Sequence, residues 1–295
     1  MKKIVLFDMD GTLTPARKAM TIDVADKLFM LYKAGYDIGI ISGSGMNYIV
    51  EQCEVFFKKY GSRIEDLKIY PCNGTKYFTW DSNKAKLTQQ YCKSIRSELG
   101  PKKLKKLINA LLKYQIDLMN NYEFSERFNY TGTFVDYRES IINWCPIGRN
   151  ANAIDRAVFE DMDSYFKIRE KFAKVLGKDS SFSGLSIKIG GATSFDIYPY
   201  GWDKTFPLND NKHKSDLEDY ELFFVGDKCK IGGNDYEIYE HVKAINKDNS
   251  FETHGPEYTI NIINTLLERW VYNLYKVIKN IILEIRLVLL NGHAS

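Results

Sequence analysis

Two carboxylates, Asp8 and Asp10, stand two residues apart in Asp8-Met9-Asp10-Gly11-Thr12-Leu13-Thr14, directly after the apolar run Ile4-Val5-Leu6-Phe7. A carboxylate at the end of a buried strand can attack phosphorus and form an aspartyl-phosphate. A second one beside it can shuttle a proton to or from the leaving oxygen. Two anions next to a phosphate repel, so the scheme requires a cation, and magnesium with oxygen ligands suits it. Two nearby acids alone would as readily mark a solvated turn; the apolar strand before them and Gly-Thr after them weigh against that. A third carboxylate is Asp227, after the apolar stretch Leu222 to Val225 and Gly226. Asp235 follows eight positions later, behind Gly232-Gly233, and is either a fourth metal-site acid or the cap of the helix beginning Tyr236-Glu237-Ile238. Ser42 and Ser44, in Ile41-Ser42-Gly43-Ser44, can hold phosphate oxygens. Lys204, in Gly201-Trp202-Asp203-Lys204-Thr205, can neutralise charge during transfer.

These groups need elements that bring them to one edge. Residues 3–8 read as a buried strand, and Thr21 caps an apolar-periodic helix that stops at Gly35. Tyr36 to Ile41 is a second buried strand, with a helix from about Met46. This alternation predicts a parallel sheet covered by helices, whose strand ends share one edge. The pattern changes after residue 84. A Lys-rich helix spans Pro101 to Tyr114, and Thr133 to Tyr137 and Ile141 to Pro146 read as antiparallel strands. A charged helix covers 155–176, and Leu185 to Ile189 and Ser194 to Tyr198 alternate again. The expected architecture is α/β, a parallel core over 1–84 and 190–268 interrupted by an α+β insertion over 85–189. Beyond 269, Val271, Leu274, Tyr275, Ile278, Ile281, Ile282, Ile285, Val288 and Leu289 fall on one helical face. Lys276, Lys279, Glu284 and Arg286 interrupt that run, which argues against a membrane span and for docking on its own domain or on another copy.

Bulk properties exclude several classes. The 41 basic and 38 acidic residues leave no basic excess of the kind nucleic-acid proteins carry. Five scattered cysteines without a CxxC pair point to a reducing compartment, taken as the cytoplasm, and to no zinc site.

The motifs together resemble the haloacid-dehalogenase superfamily and, within it, the eukaryotic-type phosphomannomutase family. The resemblance rests on Phe7 to Arg17, Cys145-Pro146-Ile147-Gly148-Arg149, Ser194-Phe195-Asp196-Ile197-Tyr198-Pro199, Gly201 to Thr205, and Gly226-Asp227-Lys228 with Gly232-Gly233-Asn234-Asp235. It implies a Rossmann-like core with an inserted cap, a homodimer made through the caps, and interconversion of mannose 6-phosphate and mannose 1-phosphate primed by a hexose 1,6-bisphosphate. Asp8 would be the nucleophile and Asp10 the acid/base. Magnesium would sit on Asp8, the Asp10 carbonyl and Asp227, with Asp235 close by. Arg17 would lie at the substrate edge, and Arg138, Arg149, Ser194 and Asp196 would hold the distal phosphate and sugar hydroxyls. Bidentate arginines suit such an anion site, although Arg138 taken alone would as readily pair with Asp136 or Glu139. Thr131 stands where the resemblance calls for an arginine, so weaker phosphate capture is expected, with Arg127 or a nearby lysine a candidate to compensate. A phosphatase of the same superfamily, discharging the aspartyl-phosphate to water, is the alternative.

Overall fold

The computed structural model describes residues 1–81, 86–209 and 216–292, with side chains except at 209, 216 and 284–292. Strand β1 (Lys2–Phe7) carries apolar residues on both faces, which suits only a strand covered on both sides. It pairs in parallel with β2 (Tyr36–Ile41) and β10 (Tyr220–Gly226), Lys2 lying against Tyr220 and Lys3 against Tyr36. Helix α1 (Ile22–Lys33) connects β1 to β2, with the Thr21 hydroxyl accepting the Val24 amide at 3.4 Å. Helices α2 (Met46–Gln52) and α3 (Glu54–Tyr60) then lead to β3 (Lys68–Tyr70). An antiparallel pair, β4 (Lys76–Asp81) and β5 (Lys86–Cys92), finishes that side. With β11 (Ser250–Glu252) at the opposite edge, the larger sheet runs β11-β10-β1-β2-β3-β4-β5.

A smaller antiparallel sheet runs β6-β7-β9-β8. Its strands are β6 (Val135–Tyr137), β7 (Ile142–Trp144), β8 (Leu185–Gly190) and β9 (Ser194–Pro199). Helices α4 (Ile95–Asn121), α5 (Ala153–Phe166) and α6 (Ile168–Leu176) cover it. Leu107, Leu111, Phe159, Phe172 and Leu176 pack in one core with Trp144 and Phe195, whose rings stack at 5.0 Å. Helices α7 (Phe206–Asn209) and α8 (Tyr236–Ile245) flank the return to the larger sheet, and α9 (Pro256–Gly292) closes the chain.

The sheets change hands at different residues from those the sequence suggests. The expected switch at 84 falls outside the described residues, and the larger sheet runs on through β5 to Cys92. Strand β9, placed with the resumed core from 190, completes the smaller sheet. A short turn after Gly190 folds it back on β8, and Phe195 and Ile197 bury against the Trp144 layer. The single helix expected over 155–176 is two, because Lys167 adopts a left-handed conformation (φ 55°) between α5 and α6. Helix α4 is longer than its Lys-rich stretch; Gly100 (φ 72°) kinks it ahead of Pro101.

Helix α9 splits at the edge of the fold. Ile263 and Leu266 are buried with Val24, Ala25 and Leu28 of α1. From Val271 to Leu283 every apolar side chain is exposed, so the expected docking on its own domain does not occur over these residues. Ile285, Val288 and Leu289 lie outside the described side chains. Among the described residues no helix is long and apolar enough to cross a membrane.

Candidate active site

The carboxyl ends of β1, β2 and β10 meet at one edge of the larger sheet. Asp8 leaves β1 buried, and Asp227 and Asp235 follow β10. Ligand oxygens of Asp8, Asp227 and Asp235 lie within 4.8 Å of one another. Lys204, fully buried, donates to Asp8 Oδ1 and to Asp235 Oδ1. Asp235 sits at the start of α8 without capping it. Its Oδ2 accepts the amides of Asp227 (3.1 Å) and Lys228 (3.0 Å), so the carboxylate is turned back into the site. Two glycines make room. A Cβ on Gly11 (φ 88°) would stand 2.4 Å from Asp227 Oδ2, and one on Gly226 would stand 2.7 Å from Asp235 Oδ2.

Three carboxylates in so small a volume disfavour simultaneous charge. Burial, with the charges of Asp235 and Asp227, pushes the Asp8 carboxyl up to about 7 against the opposing pull of Lys204. Burial and Asp235 push Asp227 up to about 6. Burial works to lower Lys204, yet attraction to Asp235 and Asp8 leaves its ammonium more firmly protonated than usual. An oxygen-only donor set with surplus negative charge fits a hard divalent cation such as Mg2+. The Asp10 carboxylate stands apart from this cluster. It accepts the Arg17 amide (3.1 Å) and the Ser44 hydroxyl (3.4 Å). The buried Ser42 hydroxyl accepts the Ser44 amide at 3.0 Å and shapes the same loop.

A cleft of 1230 Å³ separates this edge from the smaller sheet. Asp8, Asp10, Arg17, Ser42, Ser44 and Asp227 line one wall, and Arg138, Arg149, Arg156, Asn143, Ser194 and Asp196 line the other. Asp136 orients two of the arginines: its Oδ2 accepts Arg138 Nε at 2.9 Å and pairs with Arg149 Nε at 3.3 Å. The pairing of Arg138 with Asp136 anticipated from sequence is therefore real, yet the side chain still faces the cleft. Burial, with the positive charges of Arg138 and Arg17, weakens Arg149's hold on its proton relative to a free guanidinium.

Sequence reasoning missed two residues. Asn143, buried in β7, donates to Ser194 Oγ (3.0 Å) and Asp196 Oδ1 (2.8 Å), and accepts from Arg149 Nη1 (2.9 Å). Arg156, in the first turn of α5, donates to the Arg149 carbonyl (2.9 Å) and Thr193 Oγ1 (2.8 Å) and adds a third guanidinium to the wall. Its only sequence signal was its closeness to Arg149, ahead of an ordinary charged helix. Thr131 does not line the cleft; its hydroxyl donates to the Ile147 carbonyl at 3.2 Å. Arg127, considered as a substitute, lies against Met162.

A mostly parallel sheet with an acidic strand-end cluster, facing a second sheet across a cleft, gives the chain the fold of haloacid dehalogenase-like proteins. It covers 90% of itself and 100% of a haloacid dehalogenase-like hydrolase from Bacteroides thetaiotaomicron at TM-score 0.51 and 14% identity. A Plasmodium falciparum IMP-nucleotidase superposes over 89% of this chain and 69% of its own, with TM-score 0.59 and 14% identity. Both likenesses concern the fold alone. The eukaryotic phosphomannomutase family model matches residues 25–269. Phosphomannomutase 2 of Dictyostelium discoideum is 36% identical over 88% of this chain and 95% of its own length. The Saccharomyces cerevisiae phosphomannomutase is 34% identical over 89% and 93%. The chain belongs to the eukaryotic phosphomannomutase family.

Proposed function

We propose that the chain is a phosphomannomutase, interconverting mannose 6-phosphate and mannose 1-phosphate through phosphorylated Asp8, with the larger sheet as core and the smaller as cap. The observation that carries this is the pairing, across one cleft, of an acidic transfer site with a three-arginine anion site. A phosphatase needs only the first; a mutase must hold one phosphate of a bisphosphate while the other reacts.

In this reading Asp8 Oδ attacks one phosphorus of a hexose 1,6-bisphosphate, the P–O bond to the sugar breaks, and Asp10 delivers a proton to the departing sugar oxygen. In the other half-reaction Asp10 takes the proton from the free C1 or C6 hydroxyl of a bound mannose monophosphate as that oxygen attacks the phosphoryl group on Asp8, which re-forms the bisphosphate and frees Asp8. Lys204 balances charge at Asp8. Asp8, the Asp10 carbonyl and Asp227 would hold Mg2+, oriented by Asp235; the ion would keep Asp8 ionised beside the phosphate. Ser42 and Ser44 shape the loop toward phosphate oxygens, and Arg17 closes the substrate edge. Arg138, Arg149 and Arg156 hold the distal phosphate, with Ser194 and Asp196 on sugar hydroxyls. We also assign the cap as the face of a homodimer and the cytoplasm as the compartment, in keeping with five unpaired cysteines.

The test is a coupled assay with mannose 1-phosphate, Mg2+ and a hexose 1,6-bisphosphate. Mannose 6-phosphate should form in the wild type and not in Asp8→Asn. Steady release of inorganic phosphate without the isomer would establish the phosphatase instead.

A further inference from the structure

Two ion pairs cross the cleft between core and cap outside the reacting centre. Lys76, on β4 of the core, pairs with Glu139 in the β6–β7 turn of the cap. Lys188, on β8 of the cap, pairs with Glu237 in the first turn of α8 at 2.5 Å. Their placement is paired. In the cap, the β6–β7 turn and β8 lie at opposite edges of the sheet β6-β7-β9-β8. In the core, β4 lies on one side of β1, and α8 follows β10 on the other. The two attachments therefore straddle Asp8. Their sense is reversed, the lysine coming once from the core and once from the cap.

Each attachment is built into its surroundings. Glu139 holds a left-handed conformation (φ 63°), and its carbonyl accepts the Ile95 amide (2.7 Å) where the chain passes from β5 to α4. Next to it, the Ser140 hydroxyl donates to the Lys93 carbonyl at 2.6 Å. Glu139 directly follows Arg138, so its position also sets that guanidinium. Lys188 lies opposite Asp196 in the β8–β9 register, and the second oxygen of Glu237 is buried without a hydrogen-bond partner among the described residues. Against these attractions stands a repulsion: Arg17 on the core wall acts on both Arg149 and Arg156 of the cap. A phosphate bound between them converts that repulsion into a bridge.

We propose that Lys76–Glu139 and Lys188–Glu237 form a two-point electrostatic clasp that sets how readily the cap opens against the arginine repulsion, and thereby how long a bisphosphate stays bound between the two transfers. This rests on the mutase reading, because only a mutase must keep its bisphosphate while the opposite phosphate is presented. These four are positioning residues. They act through cap geometry, and a cap that opens too readily releases the bisphosphate and leaves Asp8 without its phosphoryl group.

The experiment combines two readouts on the full chain. Probes at exposed Met30 of the core and Tyr165 of the cap report the separation of the two units in the absence of substrate. The bisphosphate concentration giving half-maximal mutase rate reports retention. Lys76→Met and Lys188→Met should each widen the probe separation and raise that concentration about fivefold, the effect of losing one partly exposed ion pair. Raising ionic strength on the unmodified protein should widen the separation in the same direction. The reversal Lys76→Glu with Glu139→Lys should restore both readouts. Separations and activator requirements unchanged in the single variants, or reversal that fails to restore them, would overturn the clasp. An unmodified protein that makes no isomer but widens on losing either lysine would overturn the mutase reading and leave the clasp standing.

Discussion

Replacing Lys204 by methionine keeps most of its volume and removes only the charge, so it isolates the electrostatics of the transfer site. The ammonium is fully buried between Asp8 and Asp235, and removing one partner of such a group costs about 3–5 kcal/mol. At about 2–4 °C per kcal/mol for a chain of this size, the melting temperature should fall by roughly 10 °C near neutral pH. The deficit must depend on pH, and its sign follows from the carboxyls. Asp8 and Asp227 are raised in the fold to about 7 and about 6. Their bound protons therefore contribute stability that is fully present below the ordinary carboxylate range and is lost as pH rises through those values. Lys204 offsets that loss; without it the loss deepens. Melting of metal-free protein should show a small difference between Lys204→Met and wild type at pH 5 and the full difference at pH 8. The variant should also be much less active at neutral pH, because no ammonium then balances the charge at Asp8 as the phosphoryl group transfers. Equal melting deficits at the two pH values, or a deficit under about 2 °C at pH 8 against the 10 °C expected, would refute this account of the site.

The same carboxyl shifts make protons competitors for the metal. Calorimetric Mg2+ titration should show affinity about tenfold or more weaker at pH 5.5 than at pH 8, and a chelator should abolish turnover. Arg156→Ala removes one guanidinium from the distal wall, and steady-state kinetics should show kcat/KM reduced about 10- to 100-fold, the range for a hydrogen bond to a charged group. Ending the chain after Arg269 removes the exposed apolar side chains from Trp270 to Leu283, along with the residues after them, and keeps buried Ile263 and Leu266. Melting temperature and mutase rate should be retained, while light scattering should show less association.

The transfer site was legible because its chemistry sits at strand ends. Apolar β1 and β10, each ending in an acid, are local signals that parallel pairing turns into proximity. The orientation of Asp235 was not legible. A residue before a helix reads equally as a cap or as a ligand, and only the amides of Asp227 and Lys228 decide between them. The cap wall was half visible. Arg149 follows Gly148 in a distinctive turn, whereas Arg156 and Asn143 sit in a regular helix and strand and acquire meaning only through their partners. The allegiance of β9 was hidden for a related reason: alternation reveals a strand but not which sheet receives it, and here the short turn from β8 prevailed. Exposure of α9 from Val271 to Leu283 was equally out of reach, since periodicity reports an apolar face without saying what lies opposite.

The pairing of Lys2 with Tyr220 has a consequence for the chain as it is made. Strand β1 is made long before β10, one of its two neighbours, and long before Lys204, Asp227 and Asp235. At ordinary ribosomal speeds, about 10–40 s separate these pieces. Throughout that interval an apolar strand has one bare flank, and Asp8 lacks the Lys204 ammonium. The acidic edge is therefore complete only once β10 and the loop behind it have been made and have docked on a strand that has long been waiting.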